Sequence, residues 1–155
     1  MSIFSGLANV FDSLLRPEGF RRRSRSWYRI CGPVYAVVSL QESSFDDTCY
    51  VNIGFSLADR AVNGWLPEQK CQVRFRAEAL REISPADTAL LDPDSPVQMG
   101  EESWLAAATE RLAAPVVRTV VGVVDLQILQ GLLQFGVSNR VFVHREIRDA
   151  MDLIG

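Results

Sequence analysis

The stretch "CYVNIGFSL", residues Cys49–Leu57, alternates apolar side chains with small or polar ones. Every odd-numbered position is apolar, whereas the even-numbered positions hold Tyr50, Asn52, Gly54 and Ser56. Successive side chains of an extended strand point to opposite faces of a sheet. The alternation therefore predicts a β-strand with one face in the core and a second, more polar face.

Segments with the same period of two lie on both sides of this strand. Ser26–Ile30 and Val34–Gln41 flank the turn pair Gly32-Pro33, which predicts a hairpin, and Lys70–Arg76 predicts a fourth strand. A short polar segment, Glu42–Asp47, separates the hairpin from the strand that follows it. Consecutive strands joined in this way favour an antiparallel meander.

Apolar side chains recur at helical spacing before and after the predicted sheet. Ile3–Arg16 is predicted to be a helix that ends at Pro17 and Gly19, because proline cannot donate a hydrogen bond inside a helix and glycine tolerates the left-handed exit. Asp125 is a candidate helix cap, and the last helix is predicted to end near Leu153. Four helical segments after the sheet are predicted to begin near Glu101, Pro115, Leu126 and Arg145. The predicted fold class is α+β: an N-terminal helix, a four-stranded antiparallel meander and a helical C-terminal half.

A chain of 155 residues has the size of one domain. Residues 1–83 are predicted to form the helix-plus-sheet part of this domain, and residues 101–155 its helical part. Residues 84–100 are rich in Pro, Asp and Ser, which predicts a mobile loop between the two parts.

The charges are divided unevenly along the chain. Residues 1–29 carry a net charge of +4 and the remaining residues −7, which gives the formal net charge of −3. Proteins that wrap nucleic acid usually carry a net positive charge, so this balance argues against nucleic-acid binding as the primary role. An acidic body is suited to a basic partner.

Cysteine usage and hydropathy indicate a cytoplasmic protein without a membrane segment. The three cysteines are odd in number and show no CxxC spacing, which predicts free thiols in a reducing compartment. No signal-peptide pattern occurs at the start of the chain. The longest apolar tract, Ala113–Phe135, is interrupted by Pro, Arg, Gly, Asp and Gln and is too polar to span a membrane.

Residues typical of catalysis are sparse and scattered. His144 is the single histidine, and its nearest cysteine in sequence is Cys71, so no nucleophile and base are paired by spacing. The carboxylate pairs Asp46-Asp47 and Glu101-Glu102 fit a strand connection and a helix start, and no glycine-rich phosphate loop is present. We therefore predict no catalytic residues, no cofactor and no metal site.

The arginine-rich segment "GFRRRSRSWYR", Gly19–Arg29, is the first candidate for partner binding. In one continuous strand Arg21, Arg23, Arg25, Trp27 and Arg29 would share a face and Arg22 would lie on the opposite one, whereas a turn near Ser24 would break that parity. The segment could be a charged edge strand that prevents sheet-to-sheet aggregation, a protein-contact surface, or a nucleic-acid patch. The candidate residues are Arg21, Arg22, Arg23, Arg25, Trp27 and Arg29.

The polar face of the predicted sheet is the second candidate. Tyrosine and arginine are enriched at the energetic centres of protein interfaces, and amide side chains add directional hydrogen bonds. This face is either a binding surface or is covered by the first helix or a C-terminal helix. Its candidate residues are Tyr35, Gln41, Tyr50, Asn52, Arg74 and Arg76, with Ser39 beside them.

Four segments carry a resemblance to a known family: "LLRPEGFRRRSRSWYR" (14–29), "VVSLQESS" (37–44), "YVNIGFSL" (50–57) and "VRFR" (73–76). Over Val10–Arg76 the chain resembles the bacterial domain-of-unknown-function 4304 family, although Ser24 stands where that family often has a turn glycine. The resemblance implies a small cytoplasmic bacterial protein of the fold given above and brings no catalytic residues. Small bacterial domains of this type are often encoded beside polymorphic toxins as immunity proteins, which is an analogy only.

The leading hypothesis is a non-enzymatic protein-binding module, most concretely an immunity-type inhibitor that binds and neutralises a bacterial toxin encoded nearby. The alternative is a nucleic-acid-associated module that uses the basic segment Arg21–Arg29, and an uncharacterised enzyme is the third possibility.

Overall fold

The computed structural model describes residues 2–152, and within them six strands form one antiparallel sheet in chain order. The strands are β1 (Arg21–Arg23), β2 (Ser26–Cys31), β3 (Val34–Glu42), β4 (Cys49–Leu57), β5 (Val73–Arg76) and β6 (Phe142–Val143). The predicted α+β class and the meander are confirmed, and β2 to β5 correspond to the four predicted strands. The predicted number of four strands is wrong.

The two additional strands lie at the edges of the sheet. β1 arises because the chain reverses at Ser24 and Arg25, so that Arg23 pairs with Ser26. β6 has only two residues and pairs with β5 through Val73–Val143 and Arg74–Phe142. A two-residue strand is too short to show a periodic pattern in the sequence. Its formation depends on pairing with the neighbouring strand.

The inner face of the sheet packs against helices. Helix α1 (Ile3–Leu15) is capped by Ser2, whose hydroxyl accepts a hydrogen bond from the Ser5 amide at 3.1 Å. It ends one residue before the predicted bound, where Pro17 and a glycine with a positive φ lead into β1. The odd-numbered side chains of β4 point into this core as predicted, and Val51, Ile53 and Phe55 are fully buried.

Short helices replace the predicted loop between the sheet and the helical part. α2 (Pro85–Thr88) begins with a capping box between Ser84 and Asp87, and α3 (Ser95–Met99) follows a turn of 3₁₀ helix over Ala89–Leu91. Leu90 and Leu91 are buried there, and the Trp104 indole donates to the Leu90 carbonyl at 2.9 Å. The prediction of a loop without secondary structure is therefore wrong, because local capping and burial form short helices there, whereas the predicted mobility of the segment stays a prediction.

The C-terminal half is helical as predicted, apart from the short strand β6. A π-helical turn over Thr109–Ala113 joins α4 to α5, and Pro115 lies in the first turn of α5. The wider turn avoids the clash that a proline causes in a regular helix. The Asp125 carboxylate caps α6 by accepting from the Ile128 amide at 2.8 Å. The bounds are α4 (Glu101–Ala108), α5 (Ala114–Gly122), α6 (Leu126–Gly131) and α7 (Arg145–Asp152), and the predicted end at Leu153 lies outside the described residues.

The outer face of the sheet is partly covered by the connection between β4 and β5, residues 58–72, which we call the strap. The buried Tyr35 hydroxyl donates to the Leu66 carbonyl at 2.8 Å and accepts from the Leu66 amide at 3.0 Å. The Trp65 ring packs edge-on against Tyr28 with ring centres 5.0 Å apart. The strap thus covers one part of this face, and the part around Gln41 and Arg76 remains exposed.

Candidate binding surface

The arginine-rich segment is divided between the two faces of the sheet. Ser24 adopts a positive φ of 54°, and the turn it forms pairs Arg21 with Tyr28 and Arg22 with Trp27. Side chains of directly paired residues lie on the same face. The outer face therefore carries Arg21 and Arg23, whereas Arg22, Trp27 and Arg29 lie on the inner side. The turn near Ser24 is therefore present, and it breaks the parity that a continuous strand would have had, so the segment has no single shared face.

The inner part of this segment is used by the fold itself. The Arg22 guanidinium lies 5.0 Å from the centre of the fully buried Trp27 ring. The Trp27 indole donates to the Asp12 carboxylate at 3.0 Å, and this hydrogen bond is the main reason that the pKa of Asp12 is lowered. These contacts attach β2 to α1 and leave Trp27 inaccessible to a partner.

Two further arginines of the segment are also engaged within the chain. The Arg25 guanidinium lies 4.5 Å from the Phe4 ring centre, and its nearest contact with Glu42 is 3.9 Å. Arg29 lies over Phe20 at 4.7 Å and donates to two main-chain carbonyls at 3.1 and 3.0 Å. Both side chains therefore tie the hairpin to the helices.

Arg21 and Arg23 face outward at the edge of the sheet. The Arg23 guanidinium lies 4.8 Å from the Trp65 ring centre, which attaches it to the strap. Arg21 lines a depression of about 240 Å³ beside Tyr28 and Asn63. This end of the outer face therefore carries Arg21 and Arg23, which are fewer basic side chains than the arginine-rich segment contains.

A second group of arginines gathers at the uncovered part of the outer face, and we call it the arginine cleft. It is a shallow depression of about 390 Å³ to which β3, β4, the strap, β5 and the residues before β6 contribute. The β4–β5 pairing places Arg76 directly opposite Asn52. The cleft is lined by Gln41, Asn52, Glu68, Arg74, Arg76 and Arg140.

Aromatic rings hold two of these guanidinium groups in place. Arg76 lies 3.9 Å from the Tyr50 ring centre, and Arg74 lies 4.3 Å from that of Phe142. Arg74 also donates to the Gln69 carbonyl at 2.8 Å. Stacking of this kind restricts the long side chains before any partner arrives, so less conformational entropy is lost on binding.

The cleft has an excess of positive charge. None of its three arginines forms an ion pair with a carboxylate among residues 2–152, whereas Arg111 and Arg118 on the helices pair with acidic side chains. Glu68 is the one carboxylate that lines the cleft. Burial raises the pKa of Glu68, although Arg74 and Arg76 act in the opposite direction. The site is therefore a cationic area on a chain with a net charge of −3.

Amide groups complete the cleft. The Asn52 amide nitrogen donates to the Gln41 side-chain oxygen at 2.9 Å. Within the described part of the chain, the Gln41 amide nitrogen donates no hydrogen bond, and Gln41 is exposed. This pair therefore presents a donor and an acceptor next to the guanidinium groups.

The structure brings together five of the residues predicted from the sequence, Gln41, Tyr50, Asn52, Arg74 and Arg76. Tyr35 is separate from them because it is buried under the strap. The basic segment is also separate: Arg23 lies in the same row across the sheet as Arg76, but four strand spacings or about 19 Å away.

Sequence reasoning missed Glu68, Arg140 and Phe142. The run of β-branched and aromatic residues in Val141–Val143 is the only local signal that could have indicated β6 and thus the position of Phe142. Arg140 and Glu68 have no such signal, because they reach the cleft through tertiary structure alone.

The remaining candidate residues have structural roles. The His144 side chain accepts a hydrogen bond from the Glu146 amide at 3.1 Å and so caps the start of α7. Cys31, Cys49 and Cys71 are free thiols, and burial raises the pKa of Cys49 to about 11.

Over residues 2–152, no group of three or more His, Cys, Asp or Glu side chains is placed to hold a metal ion. No helix in this part of the chain has the length and hydropathy needed to cross a membrane.

Comparison with known proteins identifies the family of the chain. No curated protein and no solved structure matches the chain. The family model described as "Domain of unknown function (DUF4304)" matches residues 11–130, which is most of the chain and extends beyond the resemblance seen over Val10–Arg76. The matched region includes β1 to β5 and ends before β6, so Arg140 and Phe142 lie outside it. The chain belongs to the DUF4304 family.

Proposed function

We propose that this protein is a non-enzymatic protein-binding module and that the arginine cleft, together with Tyr50, contacts its partner. The observation that carries the proposal is the convergence of three guanidinium groups without an ion-paired carboxylate on an uncovered part of the sheet. Arginine and tyrosine are the residue types that contribute most to binding energy at protein interfaces.

In its finer form, the proposal is an immunity-type inhibitor that neutralises a toxin encoded by a neighbouring gene. Inhibition of this kind requires affinity and no chemistry, because a bound protein at the mouth of the toxin's active site excludes the substrate. A bacterial cytoplasmic location belongs to the same proposal, and the three free cysteines support it, since thiols stay reduced in that compartment.

Co-expression with the product of the adjacent gene tests this proposal. We expect a complex that survives size-exclusion chromatography, and we expect the chain to restore growth when the neighbouring product is toxic. The absence of both a complex and growth rescue would refute the proposal.

A matched pair of variants tests the location of the binding site. Arg76→Ala/Arg140→Ala should weaken the complex at least tenfold, because both side chains line the cleft. Arg111→Ala/Arg118→Ala removes the same charge from the helical part and should leave the affinity unchanged. Equal losses in the two double variants would show that only net charge matters and would contradict the assignment to the cleft.

The nucleic-acid alternative has weaker support. Arg22, Arg25 and Arg29 make contacts within the chain, so the segment has few guanidinium groups left for phosphates. A module of this kind would lose affinity for DNA or RNA steeply with salt, and charge reversal at Arg21 and Arg23 would abolish binding. We expect neither effect.

A further inference from the structure

Resting on the proposed function, we infer that the arginine cleft binds an acidic peptide segment of the partner, whose Asp or Glu carboxylates are held by Arg76 and Arg140. The chain therefore has a basic recognition site although its overall charge is negative. The partner is a protein that presents carboxylates in an exposed loop or extended segment.

Charge complementarity identifies the chemistry of the occupant. A guanidinium group offers a planar pair of donors that matches a carboxylate, and such bidentate contacts are stronger than neutral hydrogen bonds. Arg74 already donates to the Gln69 carbonyl, so its role is to position the Phe142 ring and the wall of the cleft. Arg76 and Arg140 form no ion pair and no side-chain hydrogen bond in the described part of the chain, although Glu68 interacts with Arg76 electrostatically. These two guanidinium groups are therefore the ones left to receive the carboxylates.

The amide pair indicates that the carboxylates belong to a peptide. Asn52 donates to the Gln41 oxygen, which leaves the Gln41 amide nitrogen as a donor toward the cleft. A main-chain carbonyl next to an acidic side chain is a suitable acceptor for this group. The cleft can therefore contact the backbone and the side chain of one extended segment.

The same geometry disfavours a nucleic acid. Binding of single strands uses exposed aromatic rings on which bases stack, together with a groove that follows several nucleotides. Here the chain's own guanidinium groups lie over Tyr50 and Phe142, and the depression measures only about 390 Å³. The net charge of −3 also opposes a long polyanion that extends beyond the cleft, whereas a short acidic segment contacts the cationic area alone.

Titration of the full chain with defined peptides tests the inference. The probes are a hexaglutamate peptide, a hexaglutamine peptide of the same length, and a thymidine hexanucleotide, each followed by amide chemical shifts. We expect saturable shifts with hexaglutamate at Tyr50, Arg76 and Phe142, and none with hexaglutamine. The hexanucleotide should bind at least tenfold more weakly than hexaglutamate.

Variants of equal charge separate the cleft from general electrostatics. Arg76→Ala/Arg140→Ala should weaken hexaglutamate binding at least tenfold, whereas Arg111→Ala/Arg118→Ala should bind as the wild type does. Arg76→Lys keeps the charge but loses the planar pair of donors, so an intermediate loss is expected. Thermal unfolding of each variant provides the check that all of them remain folded.

The possible outcomes distinguish this inference from the proposed function. Equal hexaglutamate affinity in both double variants, equal binding of hexaglutamine, or tighter binding of the hexanucleotide would overturn the inference. If a co-expressed partner binds while the cleft variant retains full affinity, the protein-binding function stands and the acidic-peptide inference fails. If hexaglutamate binds at the cleft and no co-expressed partner is found, the inference holds and the inhibitor proposal fails.

Discussion

Removal of the Tyr35 hydroxyl by Tyr35→Phe should loosen the strap from the outer face of the sheet. The side chain is 0 % exposed, and its hydroxyl bonds with both polar main-chain groups of Leu66. Burial is the main cause that raises the pKa of Tyr35 above its ordinary value of 10, so the hydroxyl remains protonated and can donate. The strap also carries the Gln69 carbonyl that holds Arg74, which links this hydroxyl to the arginine cleft.

The expected loss follows from the two hydrogen bonds. Each intramolecular hydrogen bond contributes about 1 kcal/mol net, so the loss of both should lower the free energy of unfolding by about 2 kcal/mol. Leu66 is only half-buried, and water can partly replace the hydroxyl, which makes about 3 kcal/mol an upper bound. For a chain of this length, about 2 kcal/mol corresponds to a fall of about 4–8 °C in Tm.

Urea unfolding and amide hydrogen exchange measure this effect. If the strap opens locally, the Leu66 amide should exchange about 30-fold faster than in the wild type, since 1.4 kcal/mol corresponds to a factor of ten. Tyr28→Phe is the control, because no hydrogen bond of the Tyr28 hydroxyl occurs among the described residues although its ring packs on the strap. A difference below about 0.5 kcal/mol between the two variants would refute the assignment of the strap's attachment to Tyr35.

Three further substitutions test the packing, the turn and an ionisable contact. Gly54→Ala would place a Cβ atom 2.8 Å from the Cys71 sulfur, so we expect a loss of about 1–3 kcal/mol that Cys71→Ala partly restores in the double variant, measured by urea unfolding. Ser24→Gly removes the strain of a φ of 54° and should raise the stability by up to about 1 kcal/mol; a lower Tm would contradict this. Asp12→Ala leaves the buried Trp27 indole without its acceptor and should cost about 2 kcal/mol at neutral pH. Because the folded-state pKa of Asp12 lies below its ordinary value of 3.8, the stabilisation by its carboxylate is present above pH 3.8 and is lost as the pH falls through the folded-state pKa. The difference between wild type and Asp12→Asn should therefore shrink as the pH is lowered below 3.8. A pH-independent difference would show that the charge of Asp12 makes no contribution.

The elements with a long periodic pattern could be predicted from the sequence. Cys49–Leu57 shows nine residues of alternation and forms a strand with the predicted faces, and the first helix ends within one residue of its predicted bound. The helix buries one face. The strand points its odd-numbered side chains into the main core, while Cys71 and Gln72 lie against Gly54 and Ser56 on its other face. The ends follow from local chemistry such as Pro17. Asp125 was predictable as a cap for the same reason, because a side-chain acceptor next to free amides acts locally.

The elements that depend on distant partners could not be predicted. Ser24, like Asn63, adopts a left-handed conformation without being glycine. The turn at Ser24 decides how Arg21–Arg23 pair with Ser26–Tyr28 and thus on which face each of these side chains lies. The sequence of the strap shows no regular hydrophobic period. The strap is held in place by the hydrogen bond of Tyr35 and by the packing of Trp65. Such segments are ordered by contacts that are far apart in sequence.

The density of charge in the sequence is a poor guide to the charge available for binding. Gly19–Arg29 has the highest local concentration of arginine, yet most of its guanidinium groups lie over rings of the same chain or bond with its carbonyls and carboxylates. Arg140 has no basic neighbour within three positions, but it lines the cleft beside Arg76 because β6 pairs with β5. In this chain the clustered arginines contact rings, carbonyls and carboxylates of the chain itself, whereas Arg140 forms no ion pair or side-chain hydrogen bond within the described residues. The arginines to be tested first for partner binding are therefore those without an internal acceptor, wherever they occur in the sequence.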